Sequence, residues 1–196
     1  MSEWLSLAAE VASCTACAEL AATRSNVVVG DYPAGAGVLL VGEAPGAQED
    51  TSGRPFVGRA GKALDLALAA AALPRSEVAV LNILKCRPPG NRRPLPAETG
   101  NCRGWLDRQI TLIDPAVVVA LGLTAVAGLW DEVGRTPKAK LVLRELRGRV
   151  LTTDGRRLLA TYHPSGALRH GPDGAPMQAL REDLALAKQL ASGGPG

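Results

Sequence analysis

Aromatic residues are scarce: one Phe, two Tyr and three Trp in 196 residues. With 46 % hydrophobic residues, the core must be aliphatic, built from Ala, Val and Leu, and each aromatic needs a specific reason. Long apolar runs are missing as well. The longest uncharged stretch, Pro115 to Trp130, is broken by Gly122 and Gly128 and falls short of the roughly 20 apolar residues a membrane helix needs. No membrane partner is expected. Strong charge of either sign is lacking, since 22 Lys+Arg against 19 Asp+Glu give +3, too mild to settle a partner. Neither GxxxxGK[ST] nor GxGxxG occurs, which weakens any nucleotide-binding reading. The N-terminus carries Glu3 where a secretory signal would carry Lys or Arg, so a cytoplasmic protein is expected. The apolar content excludes a long disordered chain.

The segments that are present alternate. Residues 3–13 predict a short helix with Ser2 as its cap. Strands are predicted at Val38–Val41, Val78–Leu81 and Ala116–Leu121, the last apolar enough to be buried on both faces. Helices are predicted at Lys62–Leu73, Ala97–Leu112, Thr124–Trp130 and Met177–Leu190. Asp154-Gly155 between two apolar runs, Arg149–Thr153 and Arg156–Thr161, signals a hairpin. No linker divides the chain, so residues 1–190 read as one domain and 191–196 as a Gly-rich mobile tail. The alternation indicates an α/β domain with a mainly parallel sheet.

Three polar residues fall where such a sheet binds ligands, in the crevice beyond the carboxyl ends of its strands. Glu43, with Gly42, follows the first strand, Asn82 ends the second, and His163 lies just past the last. Between the first strand and its helix runs a 20-residue loop, Gly42–Gly61, and loops this long inside compact domains are usually functional. It holds the only Phe, Phe56, either a plug on the core or a stacking surface beside the pocket. Lys85, Arg87, Arg92 and Arg93 follow Asn82 without an intervening acid. They form either a solvated face or a basic rim suited to a phosphate backbone. A second basic run spans Arg135 to Arg149.

Four cysteines complete the inventory: Cys14 and Cys17 as C-x2-C, then Cys86 and Cys102 as C-x15-C. In a reducing compartment disulfides are a poor default, and four soft thiolates suit zinc or an iron–sulfur cluster.

GEAPG at 42–46, GRPFVG at 53–58, NILKCRPPGNRRP at 82–94 and YHPS at 162–165 together resemble the family 4 uracil-DNA glycosylases, from Cys14 to about Arg169. The resemblance implies a three-layer α/β/α fold around a four-stranded parallel sheet. It implies hydrolysis of the N-glycosidic bond of flipped-out deoxyuridine in DNA, and a [4Fe–4S] cluster held by Cys14, Cys17, Cys86 and Cys102. A monomer acting on uracil-containing DNA, single- or double-stranded, is expected. Phe56 would stack on the uracil and Asn82 would read its Watson–Crick edge. His163 would donate to the anionic O2, helped by backbone N–H groups around Glu43 and Ala44. Glu43 would stabilise the sugar cation or position the attacking water; the third position of the better-known GQDPYH pattern, a catalytic Asp, is Ala44 here. Glu49 is a second carboxylate that would shape the pocket. Lys85, Arg87, Arg92, Arg93, Ser165 and Arg169 are candidates for the DNA backbone, and Leu168 either wedges into the vacated stack or is a buried loop residue. Since glycosidic hydrolysis moves no electrons, the cluster would fasten the N-terminal segment to the loop after Asn82.

Overall fold

A computed structural model describes residues 2–129 and 141–193. Trp130, residues 135–140 of the second basic run and the last three residues of the expected tail lie outside the described residues. The chain order begins α1 (Ser2–Ala12), α2 (Ala18–Thr23), β1 (Val38–Gly42), α3 (Ala47–Ser52), α4 (Arg59–Ala70) and β2 (Val78–Asn82). It continues through α5 (Pro96–Ile113), β3 (Val117–Leu121), α6 (Leu123–Leu129), α7 (Leu143–Leu146), β4 (Val150–Thr153) and β5 (Arg156–Thr161). The short α8 (Pro164–Ala167) and the long α9 (Ala175–Ala191) close the described chain.

Five strands form one sheet in the order β2-β1-β3-β5-β4. Four are parallel, as the resemblance implies; β4 adds an antiparallel edge. The fifth strand corrects the expected count, and its cause is local. Asp154 and Gly155 both take positive φ, 46° and 74°, which closes a tight hairpin and lays β4 along β5.

Every residue of β1, β2 and β3 is buried, because helices cover both faces. Side chains alternate sides along a strand, so Val38 and Leu40 of β1 join Leu64 and Leu68 of α4 and Leu180 and Leu184 of α9. Leu39 and Val41 point the other way, to Trp4 of α1, Leu106 of α5 and Val126 of α6. These two aliphatic layers make the α/β/α sandwich, and they leave the carboxyl ends of the parallel strands as one open edge.

The segment after β1 is more structured than its composition suggests. It contains α3, and α4 begins at Arg59 rather than Lys62. The α3 sequence, AQEDTS, has no apolar periodicity; capping makes the helix. The Glu49 carboxylate accepts from the Gly46 N–H at 3.1 Å, satisfying one of the four unpaired N–H groups at the helix start. Gly53, at φ 71°, ends the helix in the left-handed conformation.

Candidate active site

Gly42 and Asn82 are register partners at the ends of β1 and β2. Leu121 and Thr161 are partners at the ends of β3 and β5, so the residues that follow each strand meet at one edge. Phe56 and His163 approach with ring centroids 5.8 Å apart. A side chain on Gly42 would run into the Asn82 amide oxygen and the Phe56 ring. The expected residues Gly42, Phe56, Asn82 and His163 are thus gathered at one place from three separate parts of the sequence.

Asn82 is 3 % exposed, and its Oδ1 has no hydrogen-bond partner. A buried unpaired acceptor costs about 1–3 kcal/mol, so it marks a place where a donor belongs. Phe56 sits at φ 51°, a left-handed conformation that bulky residues rarely take. Two neighbours hold it there. The Phe56 carbonyl occupies the space where a Gly61 Cβ would lie. Glu49 then locks the turn: its Oε1 accepts from the N–H groups of Val57 and Gly58 at 2.9 and 2.8 Å.

That geometry corrects the expectation for Glu49. With three backbone N–H groups on its two oxygens, this carboxylate is a staple between the GEAPG and GRPFVG halves of the loop and positions Phe56.

His163 caps α8. Its Nδ1 accepts from the Ser165 N–H at 3.3 Å and lies 2.8 Å from Ser165 Oγ. With Nδ1 as acceptor, the neutral ring carries its proton on Nε2, free to donate into the site. Burial pushes the imidazole below its ordinary value, while Glu43 and Glu49 pull it back up. The segment itself is anchored at Thr161, whose hydroxyl donates to the buried Asp183 of α9 at 2.6 Å. Arg147 completes the clamp with contacts to both Asp183 oxygens at 3.1 Å. Nothing local in the sequence signals Thr161, Asp183 or Arg147 as a unit, because their partners are far away along the chain.

A groove of about 420 Å³ opens outside these residues, lined by Glu43, Ala44, His163, Ser165, Arg92, Arg93 and Arg169 among others. Arg93, Ser165 and Arg169 are exposed there, where the basic rim is expected. Arg92 is engaged: its guanidinium contacts Glu98 at 2.6 and 2.9 Å and Glu19 of α2 at 2.7 Å. It therefore ties the N-terminal segment to the start of α5. Arg87 donates to the Asn91 side chain at 2.8 Å and does not line the groove. Leu168 is half-buried against the aliphatic layer under α9. Lys85 is corrected outright. At 1 % exposure it cannot meet DNA, and its ammonium donates to the Asn82 main-chain oxygen at 2.7 Å.

Cys14, Cys17, Cys86 and Cys102 line one pocket together with Leu20, Val27, Leu84 and Trp105, and no Asp or Glu lines it. No group of three or more His, Cys, Asp or Glu among the described residues converges on a single-ion position; the four thiols surround a shared space. Arg24 donates to Cys86 Sγ at 3.1 Å, and Asn101 Nδ2 lies 3.5 Å from Cys17 Sγ. Burial pushes the Cys86 and Cys102 thiols up, opposed by Arg24 at the first and Lys85 at the second. Burial likewise pulls the Lys85 amine down to about 8.

An orphaned acceptor, a stacking ring and an imidazole donor at a sheet edge define a site for a flat heterocycle with a basic approach. Residues 29–185 match the uracil DNA glycosylase superfamily, and the chain belongs to it. Within that superfamily the similarity lies with the type-4 branch. The chain is 41 % identical to the type-4 uracil-DNA glycosylase of Thermotoga maritima over 92 % of this chain and 90 % of that protein. The type-4 enzyme of Archaeoglobus fulgidus is 40 % identical over 81 % of this chain and 80 % of its own length. A type-5 uracil-DNA glycosylase of Pyrobaculum aerophilum matches less of the chain, 35 % identical over 65 %. The chain is a member of the type-4 uracil-DNA glycosylases.

One test of the site's geometry needs no substrate contact to be altered directly. Gly42→Ala adds a methyl group against the Asn82 oxygen and the Phe56 ring. Displacing groups in such a site by about an ångström costs about 10²-fold. Excision by Gly42→Ala is expected to fall by that much, with the circular-dichroism spectrum retained. Wild-type rates from this variant would show that Asn82 and Phe56 do not flank the substrate here.

Proposed function

We propose that this chain is a monofunctional uracil-DNA glycosylase that hydrolyses the N-glycosidic bond of flipped-out deoxyuridine, releasing uracil and leaving an abasic site. The observation that carries the reading is the buried, unpartnered Oδ1 of Asn82 beside the Phe56–His163 pair.

Flipping a base out of the stack costs a few kcal/mol, and stacking on Phe56 returns about 1–3 kcal/mol of it. Uracil offers an N3–H donor, which the Asn82 oxygen accepts, and an O4 acceptor, which the Asn82 NH2 serves. Cytosine reverses both groups and leaves the buried amide unpaired, the kind of mismatch that supports discrimination of about 10⁴ or more.

As the glycosidic bond lengthens, the electron pair moves onto the base and charge grows on O2. The Nε2–H of neutral His163 is aimed to donate there, a contribution of about 3–4 kcal/mol for a preorganised donor. The sugar becomes cationic at the same time. Glu43, which lines the groove, faces that charge and orients the water that adds to C1′. Arg93, Arg169 and Ser165 hold the flanking phosphates.

The donor set around the thiol pocket fits a [4Fe–4S] cluster. Four thiolates would hold an anionic group, and the Arg24 guanidinium, which donates to Cys86 Sγ, supplies compensating charge. When bound, the cluster supplies a cross-link between the segment joining α1 to α2, the loop after Asn82 and α5, and no electron chemistry for the hydrolysis.

Labelled oligonucleotides carrying U·G, U·A, T·G or single-stranded U, treated with the purified brown protein and then alkali, test the proposal. Alkali-labile scission confined to uracil is the expected result. Folded, iron-loaded protein that leaves all four substrates intact would sink it.

A further inference from the structure

Lys85 heads the fully buried side chains by volume among the described residues. Lysine is almost never fully buried without a partner, yet no carboxylate lines the thiol pocket that it borders. Its bonds run elsewhere. The ammonium donates to the main-chain oxygen of Asn82 at 2.7 Å. The residue lines the four-thiol pocket beside Cys86 and Cys102, and its carbonyl accepts from Val28 N–H at 2.7 Å. The residue is therefore pinned on the thiol side by its backbone and on the base side by its side chain.

What it pins is the peptide at which the β1–β2 ladder ends. Gly42 and Asn82 are the last register pair, and the Ile83 N–H donates to the Gly42 carbonyl at 2.9 Å, holding one end of the Asn82–Ile83 peptide. The Lys85 ammonium holds the other end, the Asn82 carbonyl. The amide of Asn82 branches from the same Cα, and a rotation of that peptide would swing the unpartnered Oδ1 away from its aim.

We propose that Lys85 is a positioning residue for base recognition: anchored at the four-thiol pocket, its ammonium fixes the Asn82 main chain and so aims the Asn82 amide at the base. The proposal rests on the uracil-glycosylase reading of the site. It makes the thiol pocket and the base pocket parts of one rigid unit, joined through a single side chain. Lys85 does not touch the substrate. Its loss is felt in recognition of the base rather than in attachment to the DNA backbone, which Arg93 and Arg169 serve from the groove.

The experiment compares iron-loaded wild type with Lys85→Met, a side chain of similar length without a donor. Four quantities are measured: iron per chain, affinity for abasic-site DNA, inhibition by free uracil, and single-turnover excision. Iron and abasic-DNA affinity should stay within about twofold, while uracil inhibition and excision each weaken by about tenfold, the effect of one charge-assisted hydrogen bond. Unchanged uracil inhibition overturns the proposal. So does a parallel fall in all four quantities, which is what a lysine that merely supports the fold would give. Should Lys85→Met not fold, Lys85→Gln, a shorter side chain with a neutral donor, is judged by the same split. A wild type that neither excises uracil nor is inhibited by it overturns the functional reading, and the proposal with it.

Discussion

Asn82→Ala is expected to lower single-turnover uracil excision by about 10³-fold without lowering the melting temperature. Two facts about one atom produce this unusual pairing. The Asn82 oxygen is buried with no hydrogen-bond partner among the protein's own groups, so removing it breaks no bond of the fold. The packing lost with the side chain is confined to the strand end. In the substrate complex the same oxygen meets the N3–H, and a site built around such a bond loses several orders of magnitude when the bond cannot form. Single-turnover kinetics and thermal unfolding of the same preparation check both halves. A loss below tenfold, or a fall of several degrees in melting temperature with activity to match, would mean that Asn82 is a strand-end residue holding the fold.

His163→Ala should cost about 10²–10³-fold in excision, the usual effect of removing one donor from developing negative charge. The pH dependence distinguishes a neutral donor from a charged one. Burial holds the folded imidazole below 6.5, its ordinary value, so wild-type excision should stay flat as the pH falls through 6.5. Stability behaves differently. With the folded value depressed, the unfolded chain binds the proton first, and stability present above pH 6.5 declines as the pH drops below it. His163→Ala should remove that decline. A rate that rises on acidification through 6.5 would instead require an imidazolium and contradict the tautomer that the Ser165 N–H imposes.

The strand ends that carry Gly42 and Asn82 were legible because parallel strands buried on both faces read as continuous Val and Leu runs, and the end before His163 because Asp154-Gly155 marks the hairpin that leads into β5. The alternation gives a mainly parallel sheet and its covering helices; the count of four parallel strands comes with the family resemblance. What periodicity cannot show is how polar groups pair inside the fold. Glu49 looked like a pocket carboxylate because it lies in a Gly-rich loop; its three N–H partners exist only once α3 has formed. Lys85 sits in a basic run, and nothing in the run separates it from Arg93. The first is 1 % exposed and the second faces the groove; three-dimensional position alone divides them. Arg92 was likewise opaque, because its partner Glu19 lies far back in the chain.

The Thr161–Asp183–Arg147 clamp has a consequence for synthesis. Chains emerge from the ribosome N-terminus first, and α9 comes after every residue assigned to uracil recognition. A nascent chain exposed only as far as His163 therefore has its base-binding residues in hand and β5 paired with β3, but it lacks the Asp183 carboxylate that receives the Thr161 hydroxyl. Docking of α9 is therefore the last step in anchoring the segment that carries His163, and a polypeptide short of it holds the recognition set without that anchor.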